Sequence, residues 1–391
     1  MQEYIITNQE KGQRLDKYVK RILPEAPSSF IYKMLRKKNI TLNGHKAEGK
    51  ENVTQGDSVK LFLSDETIQK MGGVRKEGMR KGAFVRPEEL RFSEADKAYA
   101  ELTRRYPALG LVYEDENIAA AYKPAGVLSQ KAAPSDLSLN EWFLGLLHKR
   151  GEASPDSCLR FMPSVQNRLD RNTEGLVLLA KTLPGSHLLT SLQREHRLKK
   201  YYRMIVLGKV EKAGVIEGYL AKDEKTNTVR LSQEQKEGTV YTRTEYRPVS
   251  FSRLGTEAVS FVEAQLITGK THQLRAHFAS IGHPILGDPK YGTAEANERA
   301  RQHGVKAQLL LCQRVEFPPL TGEFEELSCK IIACREPEVY ARVLHAASHQ
   351  ERTRNEGKYQ KRVKICYANL EFKGPPGLPS GRRNQSDERS L

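Results

Sequence analysis

A carboxylate stands at the centre of the most informative segment of this chain. The segment 167–175, NRLDRNTEG, is polar and carries Asp170, and the apolar residues 176–180 follow it directly. A polar turn that leads into a buried strand can fix a carboxylate at the mouth of a cleft. There the carboxylate can act as a nucleophile, because a covalent intermediate divides a difficult exchange into steps. The alternative is an aspartate that caps the turn ahead of Thr173.

Two further segments carry side chains that suit such a carboxylate. In 271–283, THQLRAHFASIGH, apolar residues mark one face of a helix, and Arg275 lies near its start. A carboxylate that loses water in a cleft tends to protonate unless a cation lies beside it, and Arg275 is the candidate cation. In the strand 200–208, KYYRMIVLG, alternation turns either Tyr201 or Tyr202 inward. An exposed arginine and a tyrosine that only packs in the core are the simpler alternatives.

The loop 167–175, the strand 200–208 and the helix segment, extended to 268–292, together with 112–127 (VYEDENIAAAYKPAGV), resemble the RluA-type pseudouridine synthases in order and approximate spacing. Four ordered motifs are more specific than any one of them. The family's loop reads His-Arg-Leu-Asp, two variable residues and Thr-Ser-Gly, so the resemblance implies that Asp170 is the catalytic aspartate. Asn167 replaces the usual histidine and Glu174 the usual serine. We expect these departures to affect substrate choice or loop packing rather than the type of reaction.

The resemblance also implies roles for other side chains. Arg275 pairs with the catalytic aspartate, and Tyr202 stacks on the extruded uracil while its hydroxyl assists removal of a proton. Arg168 fills the position that the target base vacates, since a guanidinium can stack and contact phosphate at once; a structural ion pair is the alternative for Arg168. We interpret the Gly- and Pro-containing turns of this region as scaffold without a chemical role: 123–126, 282–284 and 287–289.

The domain organisation follows from the resemblance and from composition. Residues 106–345 are expected to form an α+β catalytic domain on a long, mostly antiparallel sheet that the cleft crosses. Residues 65–105 contain Gly72-Gly73, mixed charges and few large apolar side chains, which predicts a linker with a short helix near 87–106. The polar, proline-containing residues 346–391 predict a disordered basic tail and an accessory RNA contact.

The first 64 residues predict a small RNA-binding domain. Apolar residues at helical spacing predict two helices, separated by Pro24 and Pro27. A strand then leads to a tight turn at Asn43-Gly44, and a second strand is expected at 59–63. Two helices and a small hairpin resemble the alpha-L RNA-binding domain, with basic residues crowded at the end of the second helix: Lys33, Arg36, Lys37 and Lys38. A solvated basic helix face is the alternative.

Composition agrees with a polyanionic partner. The 391 residues allow two or three domains, and a formal charge of +16 favours phosphate backbones. No apolar run is long enough to span a bilayer, and the amino terminus lacks the apolar core of a signal peptide. The five cysteines form no metal-type C-x-x-C pair, and an odd number of cysteines in a long basic chain indicates reduced thiols. We therefore expect a cytoplasmic, RNA-binding monomer without membrane contact, metal or cofactor.

Together these observations predict an enzyme that isomerises uridine to pseudouridine in structured RNA. Large-subunit ribosomal RNA is the favoured substrate, because it is the usual target of family members with this amino-terminal domain, and transfer RNA is the second choice. An RNA-binding ribosome-assembly factor with little catalysis is a different class of function, which the presence of Asp170, Tyr202 and Arg275 disfavours. A hydrolase that uses Asp170 and Glu174 as a carboxylate pair is a third, and would release free uracil or sugar.

Overall fold

A computed structural model describes residues 2–6, 10–71, 87–155, 157–159, 161–223 and 228–345. The predicted basic tail, 346–391, lies outside the described residues, as does part of the predicted linker.

The amino-terminal residues form a small unit with its own apolar core. Its elements are β1 (Gln2–Ile5), α1 (Leu15–Ile22), α2 (Ser28–Arg36), β2 (Ile40–Leu42), β3 (His45–Lys46), β4 (Ser58–Leu61) and α3 (Asp65–Lys70). The strands pair antiparallel in the order β1-β4-β2-β3.

Both predicted amino-terminal helices are present, and their apolar positions are buried: Leu15, Tyr18, Val19 and Ile22 in α1, and Ile31, Met34 and Leu35 in α2. The tight turn is also present, with Asn43 at φ 52° and Gly44 at φ 78°. The prediction for the strands was incomplete. The turn joins β2 to the two-residue β3, and the predicted second strand is β4, which ends at Leu61 and lies between β2 and β1.

The second unit begins with a helix inside the predicted linker. Helix α4 (Pro87–Arg105) packs along α5 (Leu139–Lys149) and buries Phe92 and Leu102 in the main core. The two helices approach closely because α5 carries Gly145, where a Cβ would lie 2.2 Å from the carbonyl oxygen of Ala95. The helix near 87–106 was therefore predicted, but assigning it to a linker was wrong. Its buried face contains small alanines, so the apolar signal in the sequence is weak.

The remaining elements follow in chain order: β5 (Gly110–Glu114), β6 (Ile118–Lys123), β7 (Ser164–Val165), β8 (Glu174–Ala180), α6 (Leu183–Arg194), β9 (Lys199–Leu207), β10 (Gly214–Asp223), β11 (Thr228–Ser232), β12 (Val240–Leu254), β13 (Glu257–Leu266), α7 (Gln273–Ser280), α8 (Ala294–Gln302), β14 (Leu310–Glu316), β15 (Ile331–Ala333) and α9 (Glu338–His345). Helix α5 lies between β6 and β7, and short 3-10 turns occur at Ser157–Leu159 and Gly322–Leu327.

One long sheet carries the site. Its strands run in the order β11-β10-β12-β13-β9-β14-β8-β6-β5, with β15 paired to β14 and β7 to β8. The pairing of β14 with β8 is parallel, and the other strand pairs in the described residues are antiparallel. The predicted α+β class with a mostly antiparallel sheet is confirmed. The central strands β9, β14 and β8 meet where the candidate catalytic side chains lie.

Candidate active site

Asp170 lies in the loop between β7 and β8. The loop turns sharply, because the backbone N–H of Thr173 donates to the carbonyl oxygen of Asp170 over 3.0 Å. The Thr173 hydroxyl is buried and accepts a hydrogen bond from Gln308 at 2.9 Å, which ties the end of the loop to the segment before β14. The side chain of Asp170 is 27% exposed, so it is held by the fold and is still open to a ligand.

Strand β8, which follows the loop, lies very close to its neighbour β14. Gly175 has φ 114°, and a Cβ at this position would lie 2.3 Å from the carbonyl oxygen of Cys312. A residue with a Cβ would be strained in this backbone conformation and would collide with Cys312, so only glycine fits here. Strand β8 is thereby fixed against β14 within a few residues of Asp170.

A segment before α5 holds the Asp170 loop from the other side. The Ser129 hydroxyl donates to the carbonyl oxygen of Leu169 at 2.9 Å and accepts from the Leu169 N–H at 3.0 Å. The carbonyl oxygen of Arg171 accepts from the N–H of Gly126 at 2.9 Å and from the Lys123 ammonium at 3.1 Å. The backbone on both sides of the catalytic candidate is therefore fixed by hydrogen bonds.

Lys123 is fully buried, and its ammonium also donates to the carbonyl oxygens of Pro124 and Val127. Burial lowers the pKa of Lys123 to about 7, although the negative charges of Glu174 and Asp170 act to raise it. The sequence interpretation of 123–126 as scaffold gave no role to this lysine. In the structure, Lys123 contacts the backbone of the Asp170 loop and so helps to position it. The available sequence signal was a lysine at the end of an alanine-rich strand.

The two departures from the family loop both contact the scaffold. The Asn167 side chain accepts a hydrogen bond from the N–H of Leu178 at 2.7 Å, so it supports β8. The Glu174 carboxylate accepts from the Tyr122 hydroxyl at 3.0 Å, and burial raises the pKa of this carboxyl. Glu174 does not line the cleft that contains Asp170, which disfavours its pairing with Asp170 in a hydrolase.

Arg275 joins two carboxylates at the start of α7. Its Nη1 donates to Asp170 Oδ2 at 3.0 Å, while Nε and Nη2 donate to the two oxygens of Asp288 at 2.7 and 2.8 Å. Burial lowers the pKa of the Arg275 guanidinium, but its hydrogen bonds to Asp288 and Asp170 and their negative charges raise it overall. The guanidinium is a fixed positive charge beside Asp170.

Asp288 was missed as a site residue, since the turn 287–289 was interpreted as scaffold. It is fully buried and also accepts hydrogen bonds from the N–H groups of Lys290 and Tyr291. A carboxylate buried to this degree is normally paired. The available sequence signal was an aspartate in a tight turn 13 residues after Arg275.

A histidine completes the surroundings of the carboxylate. His272 precedes α7 in a left-handed conformation, at φ 56°, and its Nε2 lies 3.7 Å from Asp170 Oδ2. Its Nδ1 lies 3.1 Å from the Tyr291 hydroxyl. Burial lowers the pKa of His272, so the imidazole is neutral at pH 7. Arg275 and His272 thus approach the same oxygen of Asp170, and Oδ1 accepts no hydrogen bond from the described residues.

Tyr202 lies on the cleft face of β9. It is 6% exposed and lines the same cleft as Asp170, whereas Tyr201 packs under Arg314, whose guanidinium carbon lies 4.0 Å from the ring centre. Burial raises the pKa of the Tyr202 hydroxyl well above its ordinary value, and the neighbouring Cys312 thiol adds to the shift. The phenol is therefore protonated near neutral pH.

The cleft has a volume of about 950 Å³, and its lining includes Lys200 and Tyr202 of β9 and Leu310 of β14. Asp170, Tyr202 and Arg275 all line the cleft. Arg168, two residues before Asp170, is exposed and also lines it. The basic residues at the end of α2 do not line the cleft; they are exposed on the amino-terminal unit: Lys33, Arg36, Lys37 and Lys38. The structure thus brings the three catalytic candidates and Arg168 together, and leaves the amino-terminal basic residues apart.

In the part of the chain that the structure describes, no helix is long and apolar enough to cross a bilayer. In the same residues, no group of three or more His, Cys, Asp and Glu side chains is arranged to hold a metal ion.

The fold and the site thus place Asp170 against Arg275, with Tyr202 in the same cleft of a mostly antiparallel sheet. The family model described as RNA pseudouridylate synthase matches residues 117–280. The ribosomal large subunit pseudouridine synthase C of Rickettsia conorii is 31% identical over 293 residues, 74% of this chain and 86% of the relative. The protein of the same name from Vibrio vulnificus is 27% identical over 319 residues, 81% of this chain and 89% of the relative.

The chain belongs to the RluA-type pseudouridine synthase family, and it is an RNA pseudouridine synthase. Among solved structures, Human RNA Pseudouridylate Synthase Domain Containing 4 superimposes with a TM-score of 0.49 at 20% identity, over 65% of this chain and 97% of that chain.

Proposed function

We propose that this enzyme converts specific uridines of large-subunit ribosomal RNA to pseudouridine, with Asp170 as the nucleophile. The name shared by relatives in several bacteria supports the choice of ribosomal RNA. The observation that carries the chemical assignment is the contact between Arg275 Nη1 and Asp170 Oδ2 at 3.0 Å inside the cleft. This contact holds the side chain of Asp170 in the cleft, and an aspartate carboxylate can act as a nucleophile toward carbon.

The geometry distinguishes the two oxygens of Asp170. Arg275 and His272 both approach Oδ2, so Oδ1 is the oxygen available for attack. The bond it forms is either to the anomeric carbon of the ribose or to the uracil ring. In both cases the base stays in the cleft while it turns and rejoins the sugar through carbon.

Tyr202 and Arg168 serve the target base in this proposal. The Tyr202 ring stacks on the uracil, and because its hydroxyl has a raised pKa, stacking is a more favourable role than removal of a proton by a phenolate. Arg168 is exposed beside Asp170, where its guanidinium can fill the gap left when the base leaves the RNA stack.

The amino-terminal residues 1–64 supply RNA affinity in this proposal. The basic group Lys33, Arg36, Lys37 and Lys38 is exposed on that unit, away from the cleft residues, so it contacts phosphates rather than the reacting base. The catalytic domain, assigned to 106–345 from the sequence, begins with α4 at Pro87 once the packing of that helix is included. We propose that the protein acts as a cytoplasmic monomer.

Mapping of pseudouridines tests the proposal. Ribosomal and transfer RNA from cells with and without the gene are treated with carbodiimide, and adducts are located by primer extension. Loss of one or more adducts from large-subunit ribosomal RNA is expected, with restoration by the wild-type gene and not by Asp170→Asn. Loss confined to transfer RNA would make that RNA the substrate, and an unchanged map would contradict the proposed activity.

A further inference from the structure

Lys200 is a cleft residue to which the proposed mechanism gives no role. It lies two residues before Tyr202 on β9, and because side chains alternate along a strand, the two share one face. Both residues line the cleft that contains Asp170. Lys199, the residue before Lys200, is exposed on the opposite face of the strand.

The ammonium of Lys200 is held by a neutral partner. Its Nζ donates to Gln193 Oε1 at 2.9 Å. The Gln193 amide is itself fixed, since its Nε2 donates to the carbonyl oxygens of Gln166 at 3.0 Å and Leu189 at 3.1 Å. The hydrogen bond from Lys200 therefore fixes the direction of the side chain without neutralising its charge.

No carboxylate of the described residues forms an ion pair with Lys200. Burial lowers the pKa of Lys200, as is normal for a cation that leaves water without a counter-charge. Lys181, by contrast, is half-buried between two glutamates, Glu114 and Glu152, at 2.7 and 2.9 Å. A buried cation whose hydrogen-bond partner is neutral is stabilised when negative charge appears beside it.

We propose that Lys200 is a further catalytic residue, which stabilises negative charge on the uracil ring during the isomerisation. The inference rests on the proposed function. If Asp170 attacks the anomeric carbon, a carbon–oxygen bond forms, the bond to the ring nitrogen breaks, and its electron pair spreads over that nitrogen and the ring oxygens. If Asp170 attacks the ring carbon next to that nitrogen, the electron pair of the ring double bond moves toward a carbonyl oxygen.

Both routes place charge on ring oxygens, and an ammonium donates well to such oxygens. Lys200 is suited to the ring rather than to the RNA backbone because it lies beside Tyr202, the residue proposed to stack on the base. A donor aimed at charge that develops during reaction acts on the rate more than on binding. A phosphate contact would act on binding and its salt dependence.

The experiment compares Lys200→Met and Lys200→Arg with Lys199→Met as the matched control. The RNA is an in vitro transcript of large-subunit ribosomal RNA or of transfer RNA, whichever the wild-type enzyme modifies. Single-turnover rates at saturating enzyme and dissociation constants at several salt concentrations are measured. Lys200→Met is expected to lower the rate by about 100-fold, as loss of one fixed donor does elsewhere, with binding and its salt dependence unchanged. Lys200→Arg is expected to retain most of the rate, and Lys199→Met all of it.

A second substrate separates charge stabilisation from a merely structural role. A transcript made with 5-fluorouridine carries a ring that holds negative charge more readily, so it needs Lys200 less. The loss caused by Lys200→Met, scored by mass spectrometry as rearranged nucleoside after heating and digestion, is expected to shrink to about 10-fold. An equal loss on both transcripts would reject the inference in favour of a packing role.

Two other results would overturn it. If Lys200→Met keeps the rate but binds RNA more weakly, with a salt slope smaller by about 0.9, Lys200 is a phosphate contact. If the wild-type enzyme makes pseudouridine in neither RNA, the proposed function fails and this inference fails with it.

A second variant applies if Lys200→Met does not fold. Gln193→Met releases the lysine without altering β9 and is expected to lower the rate about 10-fold on uridine. An unchanged rate would count against the proposal.

Discussion

Arg275 binds the fully buried Asp288 through two hydrogen bonds, at 2.7 and 2.8 Å, and is left with one Nη1 donor that reaches Asp170. The planar guanidinium is therefore oriented by Asp288 before any substrate enters. Asp288 also accepts from two backbone N–H groups of its own turn, so the pair ties α7 to the turn after it. The position of the charge beside Asp170 is set by a residue that is fully buried and does not line the cleft.

We expect Asp288→Asn to lower both activity and stability. The change removes the buried one of the two counter-charges of Arg275 and leaves the partly exposed Asp170, which costs about 3 kcal/mol of unfolding free energy. It also frees the guanidinium to move, and a displaced catalytic group lowers the rate on the order of 100-fold. Urea unfolding and single-turnover rates check the two effects. The matched control is Glu298→Gln on the surface, whose partner Arg301 is exposed. Unchanged turnover in a folded Asp288→Asn enzyme would show that Arg275 needs no such support.

Asp170→Asn tests the proposed role of Asp170 as the nucleophile. The amide keeps the size of the side chain and can accept the hydrogen bond from Arg275, but it lacks the charge needed for attack. Isomerisation is expected to vanish, while RNA binding and thermal stability stay close to wild type because Asp170 is partly exposed. The assay is pseudouridine formation, with mass spectrometry to exclude deamidation. Glu195→Gln removes an exposed charge outside the cleft and is expected to have no effect.

Sequence patterns located the candidate residues better than they located what supports them. Asp170, Tyr202 and Arg275 lie in local motifs, and the strand alternation that separates Tyr201 from Tyr202 is a local property. Asp288 was missed because its role depends on a partner in another segment. From the sequence alone the turn 287–289 was interpreted as scaffold, because only the tertiary structure places Arg275 beside Asp288.

The same limit applies to the fold. Helix α1 has its apolar residues at a clear helical spacing and was predicted, whereas β1 is four residues long and exists because it pairs with β4, more than fifty residues later. Helix α4 was assigned to a linker because Ala95 and Ala98 contribute little apolar signal. Both alanines are buried, and the backbone of α4 at Ala95 lies directly against Gly145 of α5. This contact depends on small residues, which give little apolar signal in the sequence.

Tyr202 variants separate stacking from proton transfer. Tyr202→Phe keeps the ring and is expected to bind RNA normally and to lose less than about 100-fold in rate, the lower range of what proton transfer contributes. Tyr202→Ala loses the ring, so base positioning fails and the rate falls further. Its buried cavity also costs about 3 kcal/mol of stability, so rates are measured well below its unfolding transition. Equal effects of Phe and Ala on binding and turnover would contradict the stacking role. Tyr201→Phe, on the other face of β9, is the control.

His277 predicts how stability depends on pH. It is fully buried on α7, with Nε2 2.9 Å from the Thr242 hydroxyl, and its Nδ1 has no hydrogen bond from the described residues. Burial lowers its pKa from 6.5 to about 4. Between these values the unfolded chain binds the proton and the folded chain does not. Stability from this group is therefore complete above pH 6.5 and is lost as pH falls toward 4, by at most about 1.4 kcal/mol per pH unit.

Urea unfolding at pH 4.5, 5.5 and 6.5 measures this dependence. His277→Gln can keep the bond to Thr242 and has no group that titrates in the window, so its stability is expected to fall less steeply with acid than that of the wild type. His187→Gln alters an exposed histidine and is expected to leave the slope unchanged. Parallel curves for the wild type and His277→Gln would mean that other groups account for the acid sensitivity.

The amino-terminal basic group predicts a separation of affinity from chemistry. Changing the four residues Lys33, Arg36, Lys37 and Lys38 to Gln removes exposed charges from a unit with its own core. Each lost phosphate contact reduces the salt slope of RNA binding by about 0.9, so binding is expected to weaken and to depend less on salt. The rate at saturating RNA is expected to stay constant, because the cleft residues all come from the second unit.

These charge changes are a cleaner test than shortening the chain. A chain that begins near Leu102 would lose most of α4 and with it Phe92 and Ala95 of the main core, so its failure to act would say nothing about RNA affinity. The matched control changes four exposed basic residues of the second unit to Gln: Lys209, Lys212, Lys236 and Arg253. If only the amino-terminal set lowers affinity, that unit tethers the RNA. If it lowers turnover at saturating RNA instead, the amino-terminal unit shapes the active site and the proposed division between binding and chemistry is wrong.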